Sequence, residues 1–300
     1  MNILITGASG FVGTCLSRYF TGKNRQVTGI GTSRRHPLEK NELFSWISAD
    51  TTRPGPWQES VRRADVIINL AGRTIFRRWT RRYKQQIRDS RILTTQNLVS
   101  ALVPDSKTIF LTTSAAGYYG NRGDKILDEG AAPGDDFLAT VCRDWENEAR
   151  QAGKKGARVA VMRFGVVLAA GGGALGKMVP AFRFFAGGPV GNGLQWFPWI
   201  HMSDLIGAIE FLISEDDLDG AFNFTAPEPV RNVRFAKTLG RVLGRPAIMP
   251  APAFAIRLLM GEMGGALLNS QRAVPDRFKL AGFQFRFPDA AVALENLFGK

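Results

Sequence analysis

The chain has 300 residues, of which 45 % are hydrophobic and 22 % charged, and its 39 Lys and Arg against 26 Asp and Glu give a formal net charge of +13. That length can bury a large core, enough for one big domain or two ordinary ones, and the composition is ordinary for a soluble globular protein. No apolar run reaches the roughly 18 residues that span a bilayer, and the N-terminus opens on a strand without a basic leader, so neither a membrane span nor a signal peptide is expected. Cys15 and Cys142 both fall in predicted helices. They are expected to be reduced core residues of a cytoplasmic protein rather than a disulfide. The positive charge raises nucleic acid or a membrane surface as partners. The basic residues are dispersed apart from 73–91, and no nucleic-acid-binding motif accompanies them. The expected anion is therefore a phosphorylated small ligand, with neither nucleic acid nor a membrane as partner.

Ile3, Leu4 and Ile5 form a short apolar run closed by Thr6 and Gly7, which reads as a buried strand. Gly7, Gly10 and Gly13 follow at three-residue spacing, and Phe11, Val12, Cys15, Leu16 and Tyr19 then recur on one face of a helix. A glycine triplet alone is weak evidence in a chain with 33 glycines. This one lies directly after a strand and opens a helix, as a dinucleotide-binding turn requires. Gly7 would permit the sharp turn, Gly10 the approach of a pyrophosphate and Gly13 the packing of helix on strand. The free amides of the helix start would hold the anion.

Residues 26–30 read as the second strand. An acid at its end would favour NAD by binding the ribose hydroxyls. Here the chain continues through Thr32, Ser33, Arg34 and Arg35. A hydroxyl and two guanidiniums suit a 2′-phosphate, so NADP(H) is the expected cofactor. A third strand is predicted over 44–47, and Asp50 after it either approaches the adenine amine or simply begins the Pro-rich loop at 53–56. A fourth over 65–69 runs into Leu70, Ala71 and Gly72 beneath the cofactor. A helix follows with Gln86, Ser90 and Arg91 near the phosphates or ribose. The fifth strand, 108–112, leads into Thr113, Ser114, Tyr118 and Tyr119. A helix over 137–151 carries Cys142, Trp145 and Glu146, and the sixth strand starts at 159 and continues through Arg163 to Leu168. Strands alternating with helices at this spacing predict an α/β fold with a doubly wound parallel (Rossmann) sheet.

After Leu168 the texture becomes glycine-rich and aromatic. Residues 1–168 are expected to form the cofactor domain, with 200–226 returning to it. Residues 169–300 would form a smaller α+β substrate lobe that includes 246–300, with extended chain over 283–288.

The segments Thr6–Gly13, Asn69–Gly72, Ser114–Gly120, Arg163–Gly165 and Trp199–Asp204 together resemble the extended short-chain dehydrogenase/reductase superfamily. Asp144-Trp145-Glu146, Phe197–His201 and Gln271-Arg272 resemble its NAD(P)-dependent "epimerase family" branch, over essentially the whole chain. That resemblance implies a small C-terminal domain of unknown function. The expected cofactor contacts are Gly7, Ser9, Gly10, Phe11, Val12, Gly13, Ser33, Arg34, Arg35, Asp50, Leu70, Ala71, Gly72, Gln86, Ser90, Arg91, Thr113, Arg163 and Val167.

The resemblance also implies a Tyr with a Lys four residues on, the Lys lowering the phenol pKa while the Tyr exchanges a proton. Here Leu138 and Cys142 stand at those places, and none of the four tyrosines has such a Lys. Ser114, Tyr118 and Tyr119 are the remaining candidates, and a one-residue offset would put Ala115 at the hydroxyl position. Tyr118 or Tyr119 could equally be packed under a loop. His201 and Asp204 are expected to be structural. The leading expectation is an NADP(H)-dependent oxidoreductase or epimerase acting on a small molecule, possible as a homodimer. A non-catalytic NADPH-sensing protein is the alternative.

Overall fold

The computed structural model describes residues 1–38 and 40–299. The strands of its main sheet are β1 (Asn2–Thr6), β2 (Gln26–Gly31), β3 (Phe44–Ser48), β4 (Val66–Asn69), β5 (Ile109–Ala115), β6 (Arg158–Phe164) and β7 (Gly220–Phe224). The helices that position the site are α1 (Phe11–Gly22), α2 (Arg81–Ala101) and α3 (Phe137–Arg150).

The seven strands run in the order β7-β6-β5-β4-β1-β2-β3, and every neighbouring pair is parallel. Alternation on β1 shows why both faces are covered. Ile3 and Ile5 enter one core with Leu16, Phe20, Leu205 and Ile209, while Leu4 enters the other with Ile30, Ile67, Phe110 and Leu98. The order reverses between β1 and β4, and ligands of such sheets lie at the strand ends beside that reversal. Asn69 locks the junction: its Oδ1 accepts from Thr6 Oγ1 at 2.7 Å and its Nδ2 donates to Thr95 Oγ1 at 2.9 Å. Thr80 and Asp136 cap α2 and α3, accepting from the Tyr83 and Ala139 amides.

Two expectations are corrected. The sixth strand does not run on through Leu168. At Gly165 the chain changes partner: Gly165 N still donates to Phe224 O, but Val166 N donates to Pro198 O. Residues Val166–Leu168 then pair with Trp199–His201 in a separate small sheet. A side chain at 165 would lie 2.9 Å from the Pro198 backbone, so glycine is needed for the crossing. Residues 283–288 form no strand. Phe283, Phe285 and Phe287 instead pack as aromatic wedges, held by Asp204, which accepts from Arg286 N at 2.9 Å and Phe287 N at 3.0 Å. The C-terminal strand is Arg272–Ala273, paired with Ile126–Leu127.

His201 caps the helix Met202–Ser214, its Nδ1 accepting from Ser203 N, and its ring lies 3.9 Å from that of Phe287. Its role is structural, as expected, though it does not bond Asp204. Burial first, then the Arg286 charge, push its pKa down to about 4. Above its ordinary 6.5 the ring is neutral in both folded and unfolded chains and contributes no pH dependence. Between 6.5 and about 4 the unfolded chain takes up the proton first, so stability falls as pH drops. The loss should approach about 3 kcal/mol relative to His201→Gln, read from urea denaturation across that window.

Candidate functional site

A cleft of about 640 Å³ opens at the C-terminal ends of β1, β2 and β4, within the usual range for small-ligand sites. Of the expected cofactor residues, Gly7, Ser9, Gly10, Asp50, Leu70, Ala71, Gly72, Gln86 and Ser90 line it.

The three glycines of the first turn differ physically. Gly7 has φ +67°, and a β-carbon there would lie 2.8 Å from Leu70 O. At Gly13 it would lie 2.4 Å from Gly7 O and 2.7 Å from Ala8 Cα. These two are required by the fold itself. Gly10 has ordinary extended backbone, φ −75° and ψ 173°, and its nearest obstruction would be Gly7 O at 3.1 Å. Glycine there leaves the start of α1 open to the cleft. Phe11 and Val12 form the first turn of that helix, both half-buried. The turn at Gly172 and Gly173 lies against the Phe11 ring, so the glycine-rich segment after Leu168 packs beside the start of α1.

Gly31 and Thr32 line the cleft, and Ser33, Arg34 and Arg35 follow immediately, all exposed. This loop is tethered. Trp46 Nε1 donates to Ser33 O at 3.2 Å, and the His36 ring lies against Phe44 and Trp46 with Nε2 3.1 Å from Ala8 O. Neither arginine has a carboxylate partner among the described residues. Asp50 spends Oδ1 on Thr52, accepting from its amide at 3.0 Å and its hydroxyl at 2.7 Å.

Arg91 is directed elsewhere than expected. Its Nη1 donates to Ile87 O at 2.9 Å and Arg73 O at 3.2 Å, and its guanidinium lies over Trp145. It braces the turn at Gly72, whose β-carbon would lie 3.1 Å from the guanidinium. Ser90 Oγ helps, accepting from Arg73 N at 2.9 Å. Cleft residues that the sequence did not single out include Thr51, Thr52, Arg73, Thr74, Arg77 and Asp89. The concentration of arginines after Gly72 was the available signal for Arg73 and Arg77. Periodicity could not separate guanidiniums facing a cleft from those on a solvated face.

Arg163 is the largest correction. It is only 2 % exposed, and Nε and Nη2 each donate to the fully buried Glu146 at 2.9 Å. Nη1 donates to Tyr119 Oη and Glu129 O, both at 3.0 Å. Burial opposes the guanidinium charge, but Glu146 outweighs it and raises the pKa. Four of its five N–H groups are thus spent inside the protein, and the side chain is buried between β5, β6 and α3. Val167 is half-buried in the small sheet. The Thr113 hydroxyl is buried without a protein partner at the C-terminal end of β5. An orphaned donor there is what a bound ligand would satisfy.

The same network removes two of the three acid–base candidates. Ser114 Oγ donates to Glu146 Oε1 at 2.8 Å and is buried. Tyr119 is fully buried, its hydroxyl 2.7 Å from Asn223 Oδ1 and 2.9 Å from Asp128 O. Burial pushes its pKa up to about 12. Both hold structure together. Tyr118 alone keeps a hydroxyl outside this network. Its half-buried ring lies 3.6 Å from the Arg163 guanidinium and meets Tyr119 edge-on at 5.3 Å. Leu138 and Cys142 do face the end of β5: the Leu138 side chain approaches Gly117, and Cys142 contacts Ser114 and Ala115. Burial pushes the Cys142 thiol up to about 11. No ammonium or phenol stands at either place. Cys15 and Cys142 are free thiols.

Residues 3–224 match the model of the NAD dependent epimerase/dehydratase family, and residues 251–297 match a domain of unknown function, DUF1731. Over 99 % of its length the chain is 37 % identical to the chloroplastic homolog of epimerase family protein SDR39U1 of Arabidopsis thaliana, covering 86 % of that protein. It superposes on the human epimerase family protein SDR39U1 (isoform 2) crystallised with NADPH, with a TM-score of 0.87 and 32 % identity over 99 % of each chain. A nucleoside-diphosphate sugar epimerase from Corynebacterium glutamicum gives a TM-score of 0.78 at 31 % identity, covering all of this chain and 58 % of the other.

Proposed function

Since the chain belongs to the NAD dependent epimerase/dehydratase family, we propose that it is an NADP(H)-dependent oxidoreductase or epimerase-like enzyme acting on a small molecule. The observation that carries the cofactor choice is the end of β2, where Ser33, Arg34 and Arg35 stand on a tethered loop with no acid beside them among the described residues. The 2′-phosphate would lie against Arg34 and Arg35, and the pyrophosphate against the α1 start at Gly10. The human relative was crystallised with NADPH, which supports the same choice. Arg34→Ala combined with Arg35→Ala should weaken NADPH by about 1–3 kcal/mol, the scale of hydrogen bonds to charged groups. NADH affinity should stay where it is. Equal loss for both cofactors in calorimetric titrations would overturn the assignment.

When bound, NADP(H) supplies or accepts the hydride. Tyr118 would exchange the proton, because it follows β5 and its hydroxyl is uncommitted. Arg163 holds its ring, and Glu146 holds Arg163. With an active substrate found by NADPH oxidation across a metabolite panel, Tyr118→Phe should lower kcat about 10²–10⁴-fold. NADPH affinity should be unchanged. Full activity in Tyr118→Phe would remove the tyrosine from the mechanism.

A second reading is favoured by Leu138 and the un-ionised Cys142 at the positions where a Tyr and a Lys would serve. A protein that binds NADPH and signals its level needs neither group. Tight NADPH binding without turnover on any panel member would support that reading over catalysis.

A further inference from the structure

One surface of the C-terminal half is unlike the rest. Phe184 is 82 % exposed, Ile248 79 %, Phe254 75 %, Leu258 79 % and Leu259 78 %. These residues belong to one face. The chain after the helix Gly173–Arg183 runs beside residues 245–253, with Met249 N donating to Gly187 O, Ala251 N to Pro189 O and Gly191 N to Ala251 O. The helix Ala253–Met260 follows at once and has no buried residue. Its inner side, Ala253 and Ile256, lies against Gly191 and Gly264. Phe254, Leu258 and Leu259 are therefore turned outward, which inverts the usual pattern of a surface helix. Solvent-facing apolar clusters of this kind mark contact surfaces.

Positive charge predominates in the chain segments that carry them. Between Phe164 and Ser203, and again between Pro229 and Gly261, the sequence contains no Asp or Glu. Arg183, Arg245 and Arg257 are exposed there, and none has a carboxylate partner among the described residues; the acid nearest Arg257 in sequence, Glu262, pairs with Lys84. Arg183 adjoins Phe184 in sequence, Arg257 adjoins Leu258, and the Arg245 guanidinium lies 4.8 Å from the Phe185 ring centre. Apolar side chains flanked by long cationic ones suit a boundary where hydrocarbon lies beneath a layer of phosphate.

We propose that this face is a peripheral docking surface for an anionic lipid membrane. Phe184, Ile248, Phe254, Leu258 and Leu259 would enter the acyl boundary, and the arginines would meet lipid phosphates. A second copy would bring the unpaired Arg183, Arg245 and Arg257 of two chains onto one interface, whereas lipid phosphates would neutralise them. The expectation of no membrane partner rested on the absence of a spanning segment. Among the described residues no helix is long and apolar enough to cross a bilayer, but surface docking needs none.

The test is co-sedimentation of the full chain with phosphatidylcholine vesicles, with and without phosphatidylglycerol. Binding is expected only with phosphatidylglycerol, and high salt should release it. Phe254→Ser with Leu258→Ser and Leu259→Ser should weaken partitioning at least about ten-fold, with an unchanged circular-dichroism melt. Arg183→Gln and Arg245→Gln should each weaken it roughly five-fold. Failure to bind phosphatidylglycerol vesicles would overturn the proposal, as would equal binding by the triple serine variant. A dimer seen by sedimentation equilibrium and dissolved by those three serines would assign the face to a second copy and equally overturn it.

Discussion

A folded Gly10→Val protein is expected to lose NADPH affinity by on the order of 100-fold, which corresponds to about 3 kcal/mol. The backbone at Gly10 lies in an extended region open to any residue, and an added β-carbon would press only on Gly7 O at 3.1 Å. The fold should therefore survive with a small shift. The branched side chain would occupy the cleft at the start of α1, where a pyrophosphate must approach the helix amides. Gly13→Val is the contrasting variant. Its β-carbon would lie 2.4 Å from Gly7 O, so that change should unfold the turn rather than block a ligand. Calorimetric titration with NADPH, beside a thermal melt, separates the two. Normal affinity in a folded Gly10→Val protein would remove the pyrophosphate from this loop.

Glu146→Ala should destabilise the protein by about 3–5 kcal/mol, because removing one partner strands the buried charge of the other. Arg163 would keep its contacts to Tyr119 and Glu129 O but lose both bonds to Glu146. Ser114 would lose its acceptor as well. Replacing both partners, Glu146→Leu with Arg163→Met, should cost much less than the single change, since no charge is left unpaired. Urea denaturation of the three proteins tests this. A single variant as stable as wild type would mean that the pair is not the lock between α3 and β6.

The parallel sheet was legible because each buried strand is a short apolar run closed by a turn residue, as at Ile3–Ile5 and Val66–Ile68. The glycine turn was legible for the same reason, since its spacing has meaning only after a strand. Strand ends were less so: β5 runs three residues further than expected, to Ala115, and the sixth strand breaks at Gly165, where only the approach of Pro198 dictates a change of partner. The cofactor cleft was read largely from strand ends. Arg163 and Arg91 were misread because a guanidinium facing a phosphate and one facing a buried carboxylate or carbonyl look alike in sequence. Tyr119 and Ser114 failed as acid–base groups for a related reason: Asn223 and Glu146, their partners, lie 104 and 32 residues away. Arg73 and Arg77 were hidden within a basic run whose orientation is set by the Arg91 brace at Gly72.

We propose that the cleft between β1, β2 and β4 holds NADP(H) in preference to NAD(H). The most direct test is calorimetric titration of the wild-type protein with NADPH and with NADH under identical salt. Saturable one-site binding of NADPH is expected, tighter than NADH by about ten-fold or more, the low end of what charged hydrogen bonds contribute. Equal affinities for the two would contradict the assignment of Arg34 and Arg35, and no binding of either would contradict the reading of the cleft itself.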